Sequence, residues 1–198
     1  MPVQVWLARM ERPLTECEYG DMMALLPDLR REKLCRLPRE KHQEVLCAYL
    51  LLRMALWEQY SWRTLPTIAA GEHGKPYFPG HPEVHFSLSH TAGAAAAALA
   101  EVPVGVDIER IRPVSVRTME RVAGVRTETA FFRSWVRREA RVKRTGNGIV
   151  TMMRSETPLN RGEYYYEVEA FPGYAAGVAA GQPVPPEQVR RLLLDELL

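Results

Sequence analysis

The sequence predicts an α+β protein made of two similar halves. Three observations carry this expectation: short stretches of apolar alternation, two long stretches with helical character, and an internal echo at an offset of eighty residues. In the echo, TAGAAAAALAEVPV and FPGYAAGVAAGQPV share Gly93/Gly173, Ala95/Ala175, Ala96/Ala176, Ala100/Ala180, Pro103/Pro183 and Val104/Val184. Small residues inflate such matches, but each half also runs helix, loop, strand, strand. The division falls between residues 1–102 and 103–198, and a ligand site is expected in the cleft between the halves.

Taken in order, VQVWLA alternates and predicts a first strand over Val3 to Ala8. Cys35 to Tyr60 reads as one long helix ending before SWRTLP, and GEHGKPYFPGHPE as a loop by its Gly and Pro content. Two strands follow in VHFSLSHTAGAAAAALAEVPVGVDIE, with a turn at Glu101 to Pro103. The alanine run has helical propensity, yet the flanking Gly93 and Pro103 and the short link to the next strand favour β structure. Ala130 to Lys143 is the second helix, its apolar face set by Phe131, Phe132, Trp135, Val136 and Val142. After GNGIVTMMR the chain returns to strands in EYYYEVEAF and GYAAGVAA, with Pro172 and Gly173 as the turn. The final PPEQVRRLLLDELL predicts an amphipathic helix opened by prolines.

Composition narrows the function classes. With 198 residues, 46% hydrophobic and 25% charged, the chain is an ordinary globular protein. The longest apolar run, VLCAYLLLRMALW, contains Arg53 and is too short to cross a bilayer, so no membrane span is expected. The opening MPVQVWLARMERP lacks the regions of a secretory signal, which makes the cytoplasm the expected location. Cys17, Cys35 and Cys47 form no CxxC pair, against a disulfide framework or structural zinc. Between Arg110 and Arg144 eleven basic residues meet only three acidic ones, a field that attracts an anionic partner. There is no P-loop and no GxGxxG turn, so neither a usual nucleotide fold nor a nucleic-acid partner is expected.

The residues that carry chemistry begin with VGVDIER. In a strand Asp107 and Glu109 share one face while Val106 and Ile108 point to the core. Two oxygen ligands on a rigid strand suit a hard cation, foremost Mg²⁺ with Mn²⁺ left open. Solvated acids on a half-exposed strand are the competing reading. Glu139 lies in WVRREARVK on one helical stripe with Trp135 and Lys143, where a surface ion pair is the alternative to a functional couple. Lys75 sits in a loop bracketed by Gly74 and Pro76, and Ser87 and Ser89 share a strand face near His90. A Ser/His/Asp hydrolase built on Ser89, His90 and Asp107 is disfavoured: the chain has no GxSxG elbow, and adjacent strand residues aim apart.

Four motifs in order, GKPY (Gly74 to Tyr77), FSLSHT (Phe86 to Thr91), VGVDIE (Val104 to Glu109) and FFRSWVRREARVKRTGNG (Phe131 to Gly148), resemble the 4'-phosphopantetheinyl transferases of the pseudo-twofold monomeric type. The resemblance covers most of the chain after residue 40. It implies two α/β halves related by a pseudo-twofold axis, and transfer of the phosphopantetheine arm of coenzyme A to a serine of an apo carrier protein. Asp107, Glu109 and Glu139 match the family's Mg²⁺ site, with Glu139 also taking the serine proton and Lys143 neutralising developing charge. Gly74, Lys75 and Pro76 match the adenine and phosphate pocket; Ser89, His90 and Asp107 match positions near the coenzyme A phosphates. Carrier proteins are acidic around their serine, which suits the basic segment.

The chain departs from the family pattern at several points. Registering on LLLR puts Glu44 where an Arg for the 3'-phosphate is usual, so Arg39 or Lys41 is the expected substitute. Arg138 and Val136 replace a customary Lys and a Ser or Thr. The link from Glu109 to Trp135 is short and shows no helix pattern, which leaves partner choice open. A non-catalytic coenzyme A or carrier-protein binding module and a metal-dependent phosphohydrolase remain the alternatives.

Overall fold

The computed structural model describes residues 2–71, 73–146, 158–183 and 185–198. Asn147 and Gly148 of the long motif, the remainder of GNGIVTMMR, Glu72 of the loop and Val184 of the echo lie outside the described residues. The first part of the chain contains β1 (Gln4–Arg9), α1 (Glu16–Leu25), α2 (Asp28–Cys35), a 3₁₀ turn (Arg39–Lys41), α3 (His42–Tyr60), β2 (Ala69–Ala70), β3 (Pro76–Tyr77), β4 (His85–Thr91) and β5 (Ala94–Ala100). The second contains β6 (Val104–Arg110), α4 (Val116–Ala123), α5 (Glu128–Thr145), β7 (Tyr164–Val168), β8 (Tyr174–Ala180), β9 (Gln188–Leu193) and α6 (Leu194–Leu197). This is a mixed α+β architecture.

Two sheets stack between two helices. The first runs β4-β5-β1-β9, the second β6-β8-β7, and β2 with β3 forms a small ribbon. In both larger sheets the later strand of a hairpin, β5 or β8, lies between its partner and the strand that opens its region, β1 or β6. The alanine strand β5 shows why small residues are needed. Ala95, Ala97 and Leu99 pack with Trp6 and Ala8 against Leu46, Leu51 and Leu52 of α3. Ala94, Ala96, Ala98 and Ala100 face the second sheet and meet Val104, Val106, Ile108, Val178 and Ala180. A strand covered on both faces reads as a continuous apolar run, and its alanines let the layers approach. Truncating a leucine of the α3 layer, such as Leu51, costs about 2–5 kcal/mol.

Helix α5 crosses the outer face of the second sheet, capped by Thr127 at its start and by left-handed Gly146 at its end. It lies so close to β6 that a Cβ on Gly105 would sit 2.0 Å from the Ala140 carbonyl oxygen and 2.3 Å from the Arg144 nitrogen. Gly105 is therefore what seats α5 on β6.

Three expectations change. The long helix begins at His42, not Cys35, because Pro38 has no N–H to donate and disfavours helical geometry at Leu37; the chain stops at Cys35, turns, and restarts. The link after Glu109 does contain a helix, α4, capped by Ser115 and closed by left-handed Gly124. Its eight residues are two turns, too few to show a period. The expected C-terminal helix is mostly strand: β9 pairs in parallel with β1, from Gln4 with Gln188 to Arg9 with Leu193. Three consecutive leucines fit either period, and pairing with the open edge of β1 decides between them.

Candidate active site

The alternation of β6 places Val106 and Ile108 in the core and turns Asp107 toward α5, as expected from its pattern. Asp107 is almost wholly buried. Its Oδ1 accepts hydrogen bonds from Lys143 Nζ at 2.7 Å and from Ser89 Oγ at 2.7 Å, while Lys143 Nζ also donates to Ser89 Oγ at 2.9 Å. Its Oδ2 is buried without a hydrogen-bond partner among the described residues. A buried carboxylate oxygen left unpaired is costly and points to a missing ligand.

Two further carboxylates crowd the same place. Burial and then the nearby Asp107 push the Glu139 carboxyl above the usual carboxylate range, with Lys143 pulling the other way and Glu109 adding to the rise. Burial and then Asp107 push Glu109 up as well, against bonds from Thr91 and Arg112. Glu109 Oε2 accepts from Thr91 Oγ1 at 3.1 Å and from Arg112 Nη1 at 3.3 Å. Burial and the Asp107 charge thus disfavour the ionised forms of Glu139, beside Lys143, and of Glu109, beside Arg112, and the three carboxyl groups together offer hard oxygens. Among the described residues no three acidic, imidazole or thiol groups close on a single point at ligand distance. Lys143 holds the cation position on Asp107 Oδ1.

A cleft of about 410 Å³ opens beside this group. Val45, Ala48 and Tyr49 of α3 form one wall, Gly74, Lys75 and Pro76 a second, Phe86, Leu88 and His90 of β4 the floor, and Glu139, Val142 and Lys143 of α5 the far side. Lys75 is tied down: its ammonium donates to the Val104 and Arg144 carbonyls, and burial next to Arg144 lowers its pKa to about 8. It thus closes the C-terminal end of α5 from the other part of the chain. His90 is shared with an adjoining hollow of about 630 Å³ that includes Lys41, Glu44, Glu109 and Arg112. Burial pushes the His90 imidazole below its ordinary value, although its Nδ1 lies 3.6 Å from Glu44 Oε2.

No family model matches the chain. The whole sequence nevertheless aligns with characterised enzymes. It is 28% identical over 220 aligned residues to 4'-phosphopantetheinyl transferase Sfp of Bacillus subtilis (strain 168), covering 96% of this chain and 97% of that protein. A second Bacillus subtilis 4'-phosphopantetheinyl transferase is 26% identical over 187 residues, covering 87% of this chain and 83% of its own length. The chain is a homologue of the Sfp-type 4'-phosphopantetheinyl transferases. A shorter stretch is 37% identical over 110 residues to 4'-phosphopantetheinyl transferase AcpT of Salmonella typhi, covering 48% of this chain and 57% of that one.

In this transferase homologue the residues expected from the sequence do not all meet. Gly74, Lys75, Pro76, His90, Glu139 and Lys143 line the cleft, and Asp107 lies behind Lys143. Glu109 opens into the adjoining hollow. Ser89 is buried between β4 and β6, its hydroxyl bonded to Asp107, Lys143 and the Ile108 N–H. Arg39 stands apart: its Nη2 donates to both Glu16 carboxylate oxygens at 3.0 Å and its guanidinium stacks 3.1 Å from the Tyr19 ring centre. Of the two basic residues considered near Glu44, Lys41 is the one at the hollow.

The basic segment is less of a surface than its count implies. Arg138 and Arg141 are buried, the first donating to the Val122 carbonyl and the second to Glu163. Arg126 and Arg133 pair with Glu120 and Glu167. Sequence reasoning also missed Thr91 and Glu163. The even spacing of Ser87, Ser89 and Thr91 along one strand face was the available signal for the first; no local pattern announced the second.

Proposed function

We propose that the chain transfers the 4'-phosphopantetheine arm of coenzyme A to a serine hydroxyl of an apo carrier protein, releasing 3',5'-ADP. The observation that carries this is a cleft lined by the Gly74–Lys75–Pro76 loop together with Glu139 and Lys143, with Asp107 behind Lys143. Likeness to named transferases along the whole chain supports it. We also propose two halves, 1–102 and 103–198, related by a pseudo-twofold axis: β4-β5-β1 and β7-β8-β6 follow one order, while β9 from the second half adds to the edge of the first sheet. We further propose a monomer acting in the cytoplasm on an acidic carrier protein; no described helix is long and apolar enough to cross a membrane.

The chemistry of the acids suits a divalent metal, although they do not converge on one point in this structure: Asp107 Oδ2 is buried with no partner among the described residues, and Glu109 and Glu139 are destabilised as anions by burial first and then by Asp107. Asp107, Glu109 and Glu139 would hold it. When bound, Mg²⁺ supplies charge neutralisation to the diphosphate under attack. Gly74 and Pro76 shape the pocket for the adenine end, and His90 with Lys75 lies along the phosphates. Glu139 takes the proton of the carrier serine as its oxygen bonds to the β-phosphorus; burial, by raising its basicity, suits it to that task. The phosphoanhydride bond breaks and 3',5'-ADP departs with the bonding pair. Lys143, bonded here to Asp107, would leave it to compensate charge on the phosphoryl oxygens.

Incubation with coenzyme A, Mg²⁺ and a panel of apo carrier proteins tests the proposal by mass spectrometry. Addition of the arm to the carrier serine is the expected result. Binding of coenzyme A with no transfer to any carrier points to a binding module instead, and breakdown of coenzyme A without a carrier points to a phosphohydrolase.

A further inference from the structure

The edge strands of the two large sheets are joined by side chains. Along one face of β4, Ser87 Oγ accepts the Val106 N–H at 3.0 Å, Ser89 Oγ the Ile108 N–H at 3.3 Å, and Thr91 Oγ1 the Arg110 N–H at 3.4 Å. Both β4 and β6 are edge strands, so these hydroxyls meet backbone donors that a sheet edge leaves open. The spacing repeats every two residues on both strands, as strand geometry requires.

Two of the three hydroxyls also hold a carboxylate. Ser89 donates to Asp107 Oδ1 at 2.7 Å and Thr91 to Glu109 Oε2 at 3.1 Å, in each case the residue just before the N–H that the hydroxyl accepts. At the first rung that residue is Gly105, and its side-chain space is filled by α5. A hydroxyl that accepts from a fixed N–H has its own proton aimed, and such chained bonds reinforce each other. Thr91 and Arg112 both donate to Oε2 of Glu109, so Oε1 is the oxygen left for a ligand.

We infer that Thr91 is a positioning residue: through its hydroxyl it holds Glu109 in the orientation that presents a carboxylate oxygen to a divalent cation beside Asp107. This rests on the proposed role of the β6 carboxylates as metal ligands. Partners that orient a metal's ligands are typically worth about 10–100-fold in affinity. Among the described residues the Thr91 hydroxyl donates to Glu109 alone, whereas Arg112 is largely exposed and its bond is screened by water.

Mn²⁺ binding to the intact protein saturated with coenzyme A, followed by electron paramagnetic resonance, tests the inference on wild type, Thr91→Val, Thr91→Ser and Glu109→Gln. Melting temperature and metal-free coenzyme A binding are measured alongside. Thr91→Val keeps the shape and deletes the hydroxyl; the expected result is about tenfold weaker Mn²⁺ binding with coenzyme A binding retained. Thr91→Ser restores the hydroxyl and is expected within about twofold of wild type. Mn²⁺ affinity unchanged in Thr91→Val overturns the inference alone, as does a parallel loss of Mn²⁺ binding, coenzyme A binding and melting temperature, which marks a merely structural role. Wild type that binds no Mn²⁺, or Glu109→Gln that binds it as wild type does, overturns the metal role of these carboxylates and the inference with it.

Discussion

Two charged networks within a turn of each other on α5 are built on opposite plans. Arg141 and Glu163 are both buried and joined by two hydrogen bonds, of 2.9 and 3.0 Å, and Glu163 also accepts from the backbone and side chain of Asn160. The one carboxylate meets Arg141 directly and Arg144 at 3.8 Å, so its charge is fully opposed. Beside it, Asp107, Glu109 and Glu139 crowd one another with Lys143 bonded to Asp107 and the exposed Arg112 to Glu109, and Asp107 Oδ2 has no hydrogen-bond partner among the described residues. Burial pushes Glu163 upward, yet its bonds to Arg141 and Asn160 outweigh this and hold its carboxyl below the usual range; Glu109 and Glu139 end above it. The balanced network fastens the helix to the fold, and the unbalanced one is where we propose that the cation and the coenzyme bind.

Substitutions should separate the two. Replacing Glu139 by Gln is expected to slow transfer by about 10²–10⁴-fold in a single-turnover assay with coenzyme A and a carrier protein, with no loss of melting temperature. Replacing Glu163 by Gln is expected to do the reverse. Leaving Arg141 buried without its counter-charge costs about 3–5 kcal/mol, a fall on the order of 10 °C in melting temperature for a chain of this size, and the remaining folded protein should bind Mn²⁺ as before. Gly105→Ala strikes both networks by driving α5 off β6. About 1–3 kcal/mol of destabilisation is expected by denaturant titration, whereas Gly80→Ala, where a Cβ meets nothing within 4 Å, should be nearly silent.

The smallest expected effect is in pH dependence, and its sign differs between the networks. A carboxylate whose folded pKa is raised destabilises the fold when ionised; that penalty is complete above the folded value and gone below the unfolded one. Glu139→Gln should therefore raise the melting temperature near pH 8 and leave it unchanged near pH 4. Glu163, with its lowered value, contributes stability above the unfolded pKa and loses it as pH falls through the folded one, so the gap between wild type and Glu163→Gln should narrow on acidification.

The unbalanced network was the more legible of the two from sequence. Period-two spacing put Asp107 and Glu109 on one face of β6, and period-3.6 spacing put Glu139 and Lys143 on one stripe of α5; both are local relations that survive any tertiary arrangement. The alanine strand β5 was also readable, because its punctuation by Gly93 and Pro103 outweighed helical propensity. The matched pair was invisible because Arg141 and Glu163 stand 22 residues apart and neither belongs to a repeating pattern. Thr91 shows the intermediate case: its face was readable, but its partner is set by the meeting of two sheet edges. Strand β9 and the isolation of Arg39 also arise from contacts between distant parts of the chain, with β1 and with Glu16.

A crystal of the protein grown with coenzyme A and Mn²⁺ gives the most direct test, through the anomalous signal of the metal. The predicted result is a peak at about 2.0–2.2 Å from carboxylate oxygens of Asp107 and Glu139, with Glu109 in the same coordination sphere and Lys143 Nζ moved from Asp107 to the diphosphate. A metal bound elsewhere, or Lys143 still seated on Asp107 with coenzyme A in the cleft, would contradict the account.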